Sequence, residues 1–405
     1  MGNREGLRQR KSTGHSDVIS ISEEGKKLDQ KIDQHVSYEF GGPWGVFAIM
    51  TGFPILMYYL WICLWFYEGQ LVHPTSLDDV QPFLWIMWAH IRESKHVRMD
   101  SVLGQLFFQL FLAWVMPGYM QEGLPVPSLG YKTLMYNCNA LTFLYATMAA
   151  AAALHYTGVF RLTEIIDNYG HLMSVSMIWG FGVSFGMYFV ALATGTQMRM
   201  SGNFIYDVFM GASLNPRIGP IDLKMWAEDM FHEKWGFMVI FWNLSGVPFS
   251  YVYSVVYMAS YDPSKYRFST PTYIALYTTL CVAYYIHFKM QTQGIYEFRK
   301  AFPQLPGNTV ENPTYIQTAH GNRLLTSGWW AWSRKPNYVA DWIMSLTWGL
   351  VIGTATAIPY FYSVFFITVL VHRTGRDFER CATKYGKDWE RYCEVVPYKF
   401  IPYVY

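Results

Sequence analysis

The chain has 405 residues, of which 52% are hydrophobic, 19% aromatic and only 15% charged. Such a composition excludes an ordinary soluble domain, and the 31 Tyr and 16 Trp residues suit the aromatic belts at membrane surfaces. The net charge of +2 argues against a nucleic-acid partner, and the five cysteines lack the spacing of a disulfide framework or a metal site.

Residues 1–38 are polar, and no apolar core follows their Arg and Lys residues. This pattern excludes a cleaved signal peptide and predicts a disordered tail. Contact of Arg4, Arg8, Arg10 and Lys11 with anionic lipid is an open alternative to a solvated tail.

A series of apolar stretches begins at Gly45. The stretch from Gly45 to Tyr67 contains no charged residue and is long enough for one membrane span; the first charge after it is Glu68. The other candidates are Val80–His90 with Val102–Met116 (an interfacial helix plus one span), Tyr136–Tyr156, Leu172–Thr194, Gly236–Ala259, Thr272–Phe288, Trp342–Ile358 and Tyr360–Val371. Because backbone groups in lipid must bond internally, the sequence predicts an all-α polytopic membrane protein with about eight transmembrane helices.

Lys and Arg residues cluster on the loops of the C-terminal half, between Lys289 and Lys387. The positive-inside rule therefore predicts that this face is cytosolic.

A charged stripe follows the last apolar stretch. On a helix through His372–Tyr385, four residues with spacing i, i+4, i+7 and i+11 share one face: Arg373, Asp377, Arg380 and Lys384, with Arg376 beside them. Guanidinium forks suit phosphates, and a carboxylate among them can orient the forks or accept from a ribose hydroxyl. A juxtamembrane helix that only anchors orientation is the alternative.

The segment before Trp342 adds polar groups to this picture. Asn337 and Tyr338, which follow a cluster of Trp residues and Arg334, could hydrogen-bond a carboxamide or a ribose, or the cluster could be an aromatic anchor. No GxGxxG, GxxxxGK[ST] or HExxH motif is present, so a nucleotide site here is not a Rossmann site.

A second polar segment, 202–226, lies beside apolar stretches. Its polar residues are costly near hydrocarbon and so are candidates for function, with loop chemistry around Asn215-Pro216 as the alternative. They are Tyr206, Asp207, Asn215, Arg217, Asp222 and Lys224.

These motifs together resemble the sterol reductase family, which includes sterol C14 and C7 reductases and the reductase domain of lamin B receptor. The resemblance covers about 38–405 and rests on GNFIYD (202–207), LNPR (214–217), LLTSGWW (324–330), RKPNY (334–338), HRxxRD (372–377), KYGxxW (384–389) and VPYKFIPYVY (396–405). EFGGPWG (39–45), FPQLP (302–306), the Arg334-Lys335 pair and the FIPYVY ending are most similar to the fungal C24(28) reductase type, which acts last in ergosterol synthesis.

The resemblance implies a multi-pass endoplasmic-reticulum enzyme that binds NADPH on the cytosolic side and takes its sterol from the bilayer. It implies a sterol-binding membrane region at 39–288 and an NADPH-binding region at 289–405, and it leaves the oligomeric state open. The positions that match the family's NADPH contacts are Leu325, Trp330, Asn337, Tyr338, Asp377, Cys381, Ala382, Thr383, Lys384, Tyr385 and Tyr392, with Lys289 in place of an Arg.

Two departures from the family stand out. Relatives carry about two further spans between the equivalents of Glu228 and Asp229 (the family usually has about ten). They also carry a segment with a cofactor Lys between the equivalents of Ile286 and His287. We therefore expect correct insertion but weak or absent activity.

The reaction that the resemblance implies needs an acid, because an unactivated alkene is a poor hydride acceptor. Tyr206 is the first candidate for the proton donor, with Asp207 as its orienter or replacement. The alternatives are reduction of a C14 or C7 double bond, a non-catalytic or receptor-like protein of the same lineage, and an isoprenylcysteine-type methyltransferase.

Overall fold

The computed structural model describes residues 22–34, 36, 38–93, 99–123, 126, 130–219, 221–226, 234–291 and 314–403. The Glu228-Asp229 junction, FPQLP at 302–306 and most of the 1–38 segment lie outside the described residues. The described part of the chain is mostly helical, as predicted.

Among the described residues, eight helices precede residue 211: α1 (Glu23–Gln34), α2 (Gly42–Phe66), α3 (Leu77–Glu93), α4 (Met99–Val115), α5 (Ala140–Tyr156), α6 (Thr163–Asp167), α7 (Tyr169–Thr194) and α8 (Phe204–Met210). The helices that follow are α9 (Leu223–Trp226), α10 (Phe237–Phe241), α11 (Val247–Ser250), α12 (Tyr253–Ser260), α13 (Thr270–Gln291), α14 (Pro336–Leu350), α15 (Phe361–Tyr385) and α16 (Lys387–Val395).

In the part of the chain that the structure describes, three antiparallel ladders of two strands each accompany the helices. They pair β1 (Tyr119–Glu122) with β2 (Met135–Cys138), β3 (Arg217–Ile218) with β4 (Ile221–Asp222), and β5 (Tyr315–Gln317) with β6 (Arg323–Leu325). In the last ladder Ile316 lies opposite Leu324.

Three helical stretches among the described residues are long and apolar enough to cross a membrane: Gly42–Phe66, Tyr169–Thr194 and Phe237–Ser260. The third stretch contains a π-helical turn at Trp242–Gly246 between α10 and α11. These match three of the predicted spans. The total of about eight spans stays a prediction.

Several predicted boundaries are wrong. The stretch from Tyr136 begins as strand β2, and its helix starts only at Ala140. Helix α14 starts earlier than Trp342, because Pro336 suits a first helical turn, and it ends at Leu350, shortly before Gly353 with a φ of +60°. Helix α15 runs without a break from the apolar stretch through the charged stripe.

The prediction that 1–38 is entirely disordered also needs correction, because residues 23–34 form α1. The Ser22 hydroxyl accepts the Gly25 N–H at 3.0 Å, and two acidic residues, Glu23 and Glu24, occupy the first turn. An accepting side chain before the helix and negative charge in its first turn both stabilise a helix start.

The chain divides into two compact units. The N-terminal unit comprises the described residues of Asp33–Arg267 and Ile352–Phe361. The C-terminal unit comprises those of Met1–Ile32, Phe268–Val351 and Tyr362–Tyr405, and it holds α13 to α16, the β5–β6 hairpin and most of α1.

Close packing of α2 against α7 forms part of the core of the N-terminal unit. A Cβ at Gly170 would lie 2.2 Å from the Trp61 ring, so only glycine lets the two helices approach this closely. One turn away, the Tyr58 hydroxyl donates to the Ser174 Oγ at 2.6 Å. Small residues and an interhelical hydrogen bond are the usual means of helix association in membranes.

Candidate functional site

The charged stripe on α15 has the geometry that its spacing predicts. Because the helix is continuous to Tyr385, Arg373, Asp377, Arg380 and Lys384 project from one face, with Arg376 beside them. Leu370 and Thr374, which flank the stripe on the helix surface, are buried, whereas Val371, Gly375 and Ala382 on the opposite side are exposed. The C-terminal unit therefore presents several fixed cations on one helix face.

Lys335 joins this stripe to the start of α14. Its Nζ donates to the Asp377 Oδ2 at 2.7 Å and lies 5.2 Å from the centre of the Tyr338 ring. The ammonium thus connects two residues that the family resemblance assigns to the cofactor. Both Lys335 and Asp377 are partly exposed, so each can give up its partner in the ion pair and bind a ligand instead.

Arg334, the neighbour of Lys335, makes its side-chain contacts with other residues of the C-terminal unit. Its guanidinium donates to the Cys393 Sγ at 2.8 Å and to the Pro397 carbonyl at 2.8 Å, and it lies over the Phe378 ring. The backbone N–H groups of Arg334 and Lys335 donate to the carbonyls of Tyr398 and Lys399. This part of the RKPNY motif therefore holds the C-terminal segment in place.

Asn337 supplies a polar atom that needs a partner. The residue is 7% exposed, and its Oδ1 accepts no hydrogen bond from the part of the chain that the structure describes. A buried acceptor without a donor is unfavourable unless a ligand or water completes it. A carboxamide N–H₂ or a ribose hydroxyl has the donor that this oxygen lacks.

Two other predicted contacts have partners within the unit. The Trp330 Nε1 donates to the Met290 carbonyl at 3.3 Å, one residue from Lys289. The Lys289 ammonium lies 5.8 Å from the centre of the Tyr285 ring. Leu325, at the end of β6, is buried.

Tyr392 lies in a small core rather than on a surface. It packs with Ile316, Trp389 and Val396, and Cys381 contacts the edge of this cluster. Burial raises the pKa of the Tyr392 phenol well above its usual range and that of the Cys381 thiol to about 11, so both groups stay neutral at physiological pH. Their role in this structure is to pack α16 against α15.

The end of α15 is tied to α1 and to the β5–β6 hairpin. The Lys384 Nζ lies 2.8 Å from the Asp29 Oδ1, and the Tyr385 hydroxyl accepts from the Asn322 amide at 3.0 Å. Ala382 and Thr383 are exposed, and the Thr383 hydroxyl donates to the Glu379 carbonyl of its own helix. Of the Cys381–Tyr385 run, the structure thus gives only Lys384 and Tyr385 polar partners from other elements among the described residues.

An apolar cavity of about 410 Å³ lies between α13 and α14 in the same unit. Its lining includes Val282, Ile286, Trp329, Val339 and Ile343. The cavity suits an apolar ligand.

The proposed acid lies in the other unit. Tyr206, on α8, is 2% exposed, and its hydroxyl accepts the Glu39 N–H at 2.8 Å. Its ring also meets the Tyr38 ring edge to face, with centres 4.9 Å apart. Helix α8 starts with the Asn203 side chain accepting the Tyr206 N–H, which fixes the position of the phenol.

Asp207 holds the turn before α8. Its two carboxylate oxygens accept the N–H groups of Ser201 and Gly202 at 2.8 and 3.1 Å. Nearby, the Lys234 Nζ donates to the carbonyls of Met198 and Arg199. Burial lowers the pKa of Lys234 to about 8, an effect that the Asp207 charge opposes.

The remaining polar residues of 202–226 form a turn. The Asp222 carboxylate accepts from the Asn215 amide and the Lys224 N–H, and its Oδ2 lies 3.4 Å from the Arg217 Nε. These contacts favour the loop interpretation of Asn215, Arg217 and Asp222.

Comparison with known proteins identifies the family of this chain. The family described as "Ergosterol biosynthesis ERG4/ERG24 family" matches residues 34–229 and 227–405. The chain belongs to the ERG4/ERG24 sterol reductase family.

Individual relatives cover nearly the whole chain. It is 35% identical to the Delta(24(24(1)))-sterol reductase erg4A of Aspergillus fumigatus, over 93% of this chain and 95% of the relative. It is 35% identical to the Delta(24(24(1)))-sterol reductase of Gibberella zeae, over 93% of this chain and 74% of the relative. Identity to the Delta(14)-sterol reductase of Dictyostelium discoideum is 30%, over 93% and 94%.

The comparisons also bear on the expected missing segments of this sterol reductase. The family match is split at 227–229, where the first segment is expected to be missing. The alignment with the Aspergillus enzyme spans 451 residues, more than the 405 of this chain, so the relative has internal residues without a counterpart here. The second junction, Ile286-His287, lies inside the uninterrupted helix α13.

Sequence reasoning missed four residues that touch the predicted cofactor contacts: Lys335, Asp29, His320 and Asn322. Lys335 had a signal, because it stands two residues before Asn337 in the RKPNY motif. Asp29 had none, since its contact with Lys384 joins residues 355 positions apart in the chain, too far for any local pattern to predict.

Proposed function

We propose that this sterol reductase uses NADPH to reduce the C24(28) double bond of a sterol side chain, the last step of ergosterol synthesis. The observation that carries the cofactor assignment is the stripe on α15, where Arg373, Arg376, Arg380 and Lys384 lie on or beside one helix face that also carries Asp377. Guanidinium and ammonium groups at fixed spacing favour a ligand with several phosphates.

The residues present fit a phosphorylated dinucleotide. The arginines of the α15 stripe would hold the phosphates, and Asp377, with Lys335 beside it, can accept from a ribose hydroxyl. The buried Asn337 Oδ1 would accept a hydrogen bond from a carboxamide, which would supply the donor that this oxygen lacks among the described residues. When bound, the cofactor would supply the hydride of the reduction.

The choice of the C24(28) bond rests on similarity to relatives that bear this name. Two Delta(24(24(1)))-sterol reductases are 35% identical to the chain, whereas the Delta(14)-sterol reductase of Dictyostelium discoideum is 30% identical. The sterol would enter from the bilayer, and the cavity between α13 and α14 offers an apolar surface for it. We place the enzyme in the endoplasmic reticulum membrane, with its C-terminal unit on the cytosolic side.

The chain's own task is to deliver a proton and to exclude water. Protonation of the terminal carbon of the double bond leaves a tertiary cation at C24, which the hydride then neutralises. We assign the proton to the Tyr206 hydroxyl, since the hydrogen bond from Glu39 N–H stabilises the phenolate that remains. Asp207, occupied by backbone N–H groups, fixes the α8 start that carries Tyr206.

The missing segments favour a second candidate, a form of this enzyme with weak turnover. Loss of two spans keeps the C-terminal unit on the same side, because an even number of crossings is removed. The sterol pocket, however, would lose wall area, and a cofactor Lys would be absent near Ile286.

Sterol profiling tests both candidates. The chain, and a version with both segments restored from the Aspergillus fumigatus relative, are expressed in a host that lacks its own C24(28) reductase. We expect the restored version to saturate the C24(28) bond and the 405-residue chain to do so weakly or not at all. A restored version that instead removes a C14 double bond in a C14 reductase-deficient host would overturn the assignment, and full activity of the unmodified chain would overturn the role of the segments.

A further inference from the structure

Helix α1 contacts the charged face of α15 through a buried carboxylate. Asp29 is 8% exposed, and its Oδ1 lies 2.8 Å from the Lys384 Nζ and 3.0 Å from the His320 Nε2. The Asp29 carboxylate therefore neutralises one of the cations that the proposed function assigns to a phosphate.

The backbone seats α1 against the same place. The Ser22 N–H donates to the His320 carbonyl at 3.1 Å, and the Ser22 hydroxyl lies 3.3 Å from the same oxygen. A Cβ at Gly25 would lie 2.7 Å from that carbonyl oxygen, so glycine permits the close approach of α1 to the turn after β5.

The partner of Lys384 is thus held by a built contact and not by a chance surface pair. A chance pair between long exposed side chains contributes little and exchanges freely. Here the carboxylate is buried, two cationic or polar groups converge on one of its oxygens, and the backbone hydrogen bond from Ser22 to His320 holds the start of the helix that carries it.

We infer that Asp29 competes with the cofactor phosphate for Lys384 and so limits the preference of this enzyme for NADPH over NADH. The inference rests on the proposed function, because it assumes that the α15 face binds a phosphorylated dinucleotide. The Lys384 ammonium must give up the Asp29 carboxylate before it can bind a phosphate. Loss of this ion pair makes the free energy of cofactor binding less favourable. NADH, which lacks the additional phosphate, gains less from a free Lys384.

The test is direct titration of the full-length protein in detergent or nanodiscs with NADPH and with NADH. Binding is measured without turnover, so weak catalysis does not interfere. We expect Asp29→Asn to lower the NADPH Kd about three- to tenfold and to change the NADH Kd less. The matched control is Glu24→Gln, which removes an exposed acid from the same helix and so corrects for the change in net charge.

A second variant separates competition from loss of charge. Gly25→Ala changes no charge and favours the helix itself, but its methyl group would push α1 away from the His320 carbonyl. It should tighten NADPH binding as Asp29→Asn does. In a Lys384→Met background, neither substitution should change the NADPH Kd, because the group under competition is gone.

The outcomes distinguish the inference from the proposed function. If NADPH binds the unmodified chain but Asp29→Asn and Gly25→Ala leave the NADPH Kd unchanged or raise it, Asp29 is not a competitor and the inference is wrong. If NADPH binds none of the folded variants, the proposed function fails and the inference fails with it. Thermal unfolding of each variant shows which of them are folded.

Discussion

The two predicted polar sites of this enzyme are built in opposite ways. In the C-terminal unit, the cations and carboxylates of α15 and α14 are partly exposed and pair with one another, as Lys335 does with Asp377. In the N-terminal unit, Tyr206 and Asp207 are buried, and backbone N–H groups donate hydrogen bonds to both side chains.

This difference suits the two proposed roles, cofactor binding in the C-terminal unit and proton donation in the N-terminal unit. A half-exposed charged pair can exchange its partner for a ligand at small cost, which suits phosphates that arrive from water. A buried phenol fixed by backbone contacts changes little when ligand binds, which suits a proton donor that must act in apolar surroundings. The comparison predicts that substitutions in the C-terminal unit change affinity, whereas substitutions at Tyr206 change turnover.

The largest effect is expected at Tyr206. Tyr206→Phe removes the proposed acid and should lower the turnover of the segment-restored enzyme about 100-fold or more, the usual scale of general acid catalysis, with NADPH affinity retained. Turnover is measured by sterol product formation and affinity by direct titration. Tyr58→Phe is the matched control, because it also removes a buried hydroxyl with a hydrogen bond, that to Ser174. Near-normal turnover of Tyr206→Phe would move the acid role to Asp207 or elsewhere.

The second effect concerns Arg380, the exposed arginine of the α15 stripe. Arg380→Ala should raise the NADPH Michaelis constant about tenfold with little change in kcat, since one charge-assisted bond contributes about 1.5 kcal/mol at an exposed position. The preference for NADPH over NADH should fall with it. Arg391→Ala, at an exposed position on α16, is the control. An unchanged cofactor preference in Ala variants of Arg373, Arg376, Arg380 and Lys384 alike would contradict the phosphate assignment.

The sequence predicts the helical spacing of the α15 stripe well because its signal is local. Residues at i, i+4, i+7 and i+11 share a face on any helix, so the stripe follows from spacing once the helix exists. The uninterrupted join of the stripe to the apolar stretch before it was harder to predict, because hydropathy changes sharply at His372 while the backbone stays helical.

Long-range partners account for what sequence reasoning missed. The α1 helix is polar and short, and its contact with the C-terminal unit rests on Asp29, Ser22 and Gly25, whose partners are about 300 residues or more away. Neither composition nor periodicity contains that information, which explains the prediction of a disordered tail. The start of the stretch at Tyr136 was wrong for another reason, since strand β2 is set by its pairing with β1.

The third effect concerns Lys335, which links Asp377 and Tyr338. Lys335→Met should raise the NADPH Kd about fivefold, since a partly exposed ion pair contributes about 1 kcal/mol. Lys335→Arg should retain most of the affinity, because a guanidinium can still reach the carboxylate. Lys387→Met on α16 controls for the loss of one positive charge. Failure of the Arg variant to restore binding would mean that Lys335 acts through its shape and not its charge.

The smallest effect is a pH dependence of the α1 contact. Burial and the neighbouring Lys384 lower the pKa of His320, although Asp29 opposes the shift. The folded state therefore binds fewer protons at this residue than the unfolded state, and stability should decrease as the pH falls through about 6.5, the ordinary histidine value. His320→Gln should flatten this part of the stability curve, as measured by thermal unfolding between about pH 5 and 8. Among the described residues, the charged groups that face His320 are Asp29 and Lys384. A profile that keeps its slope in His320→Gln would show that His320 is not the group responsible.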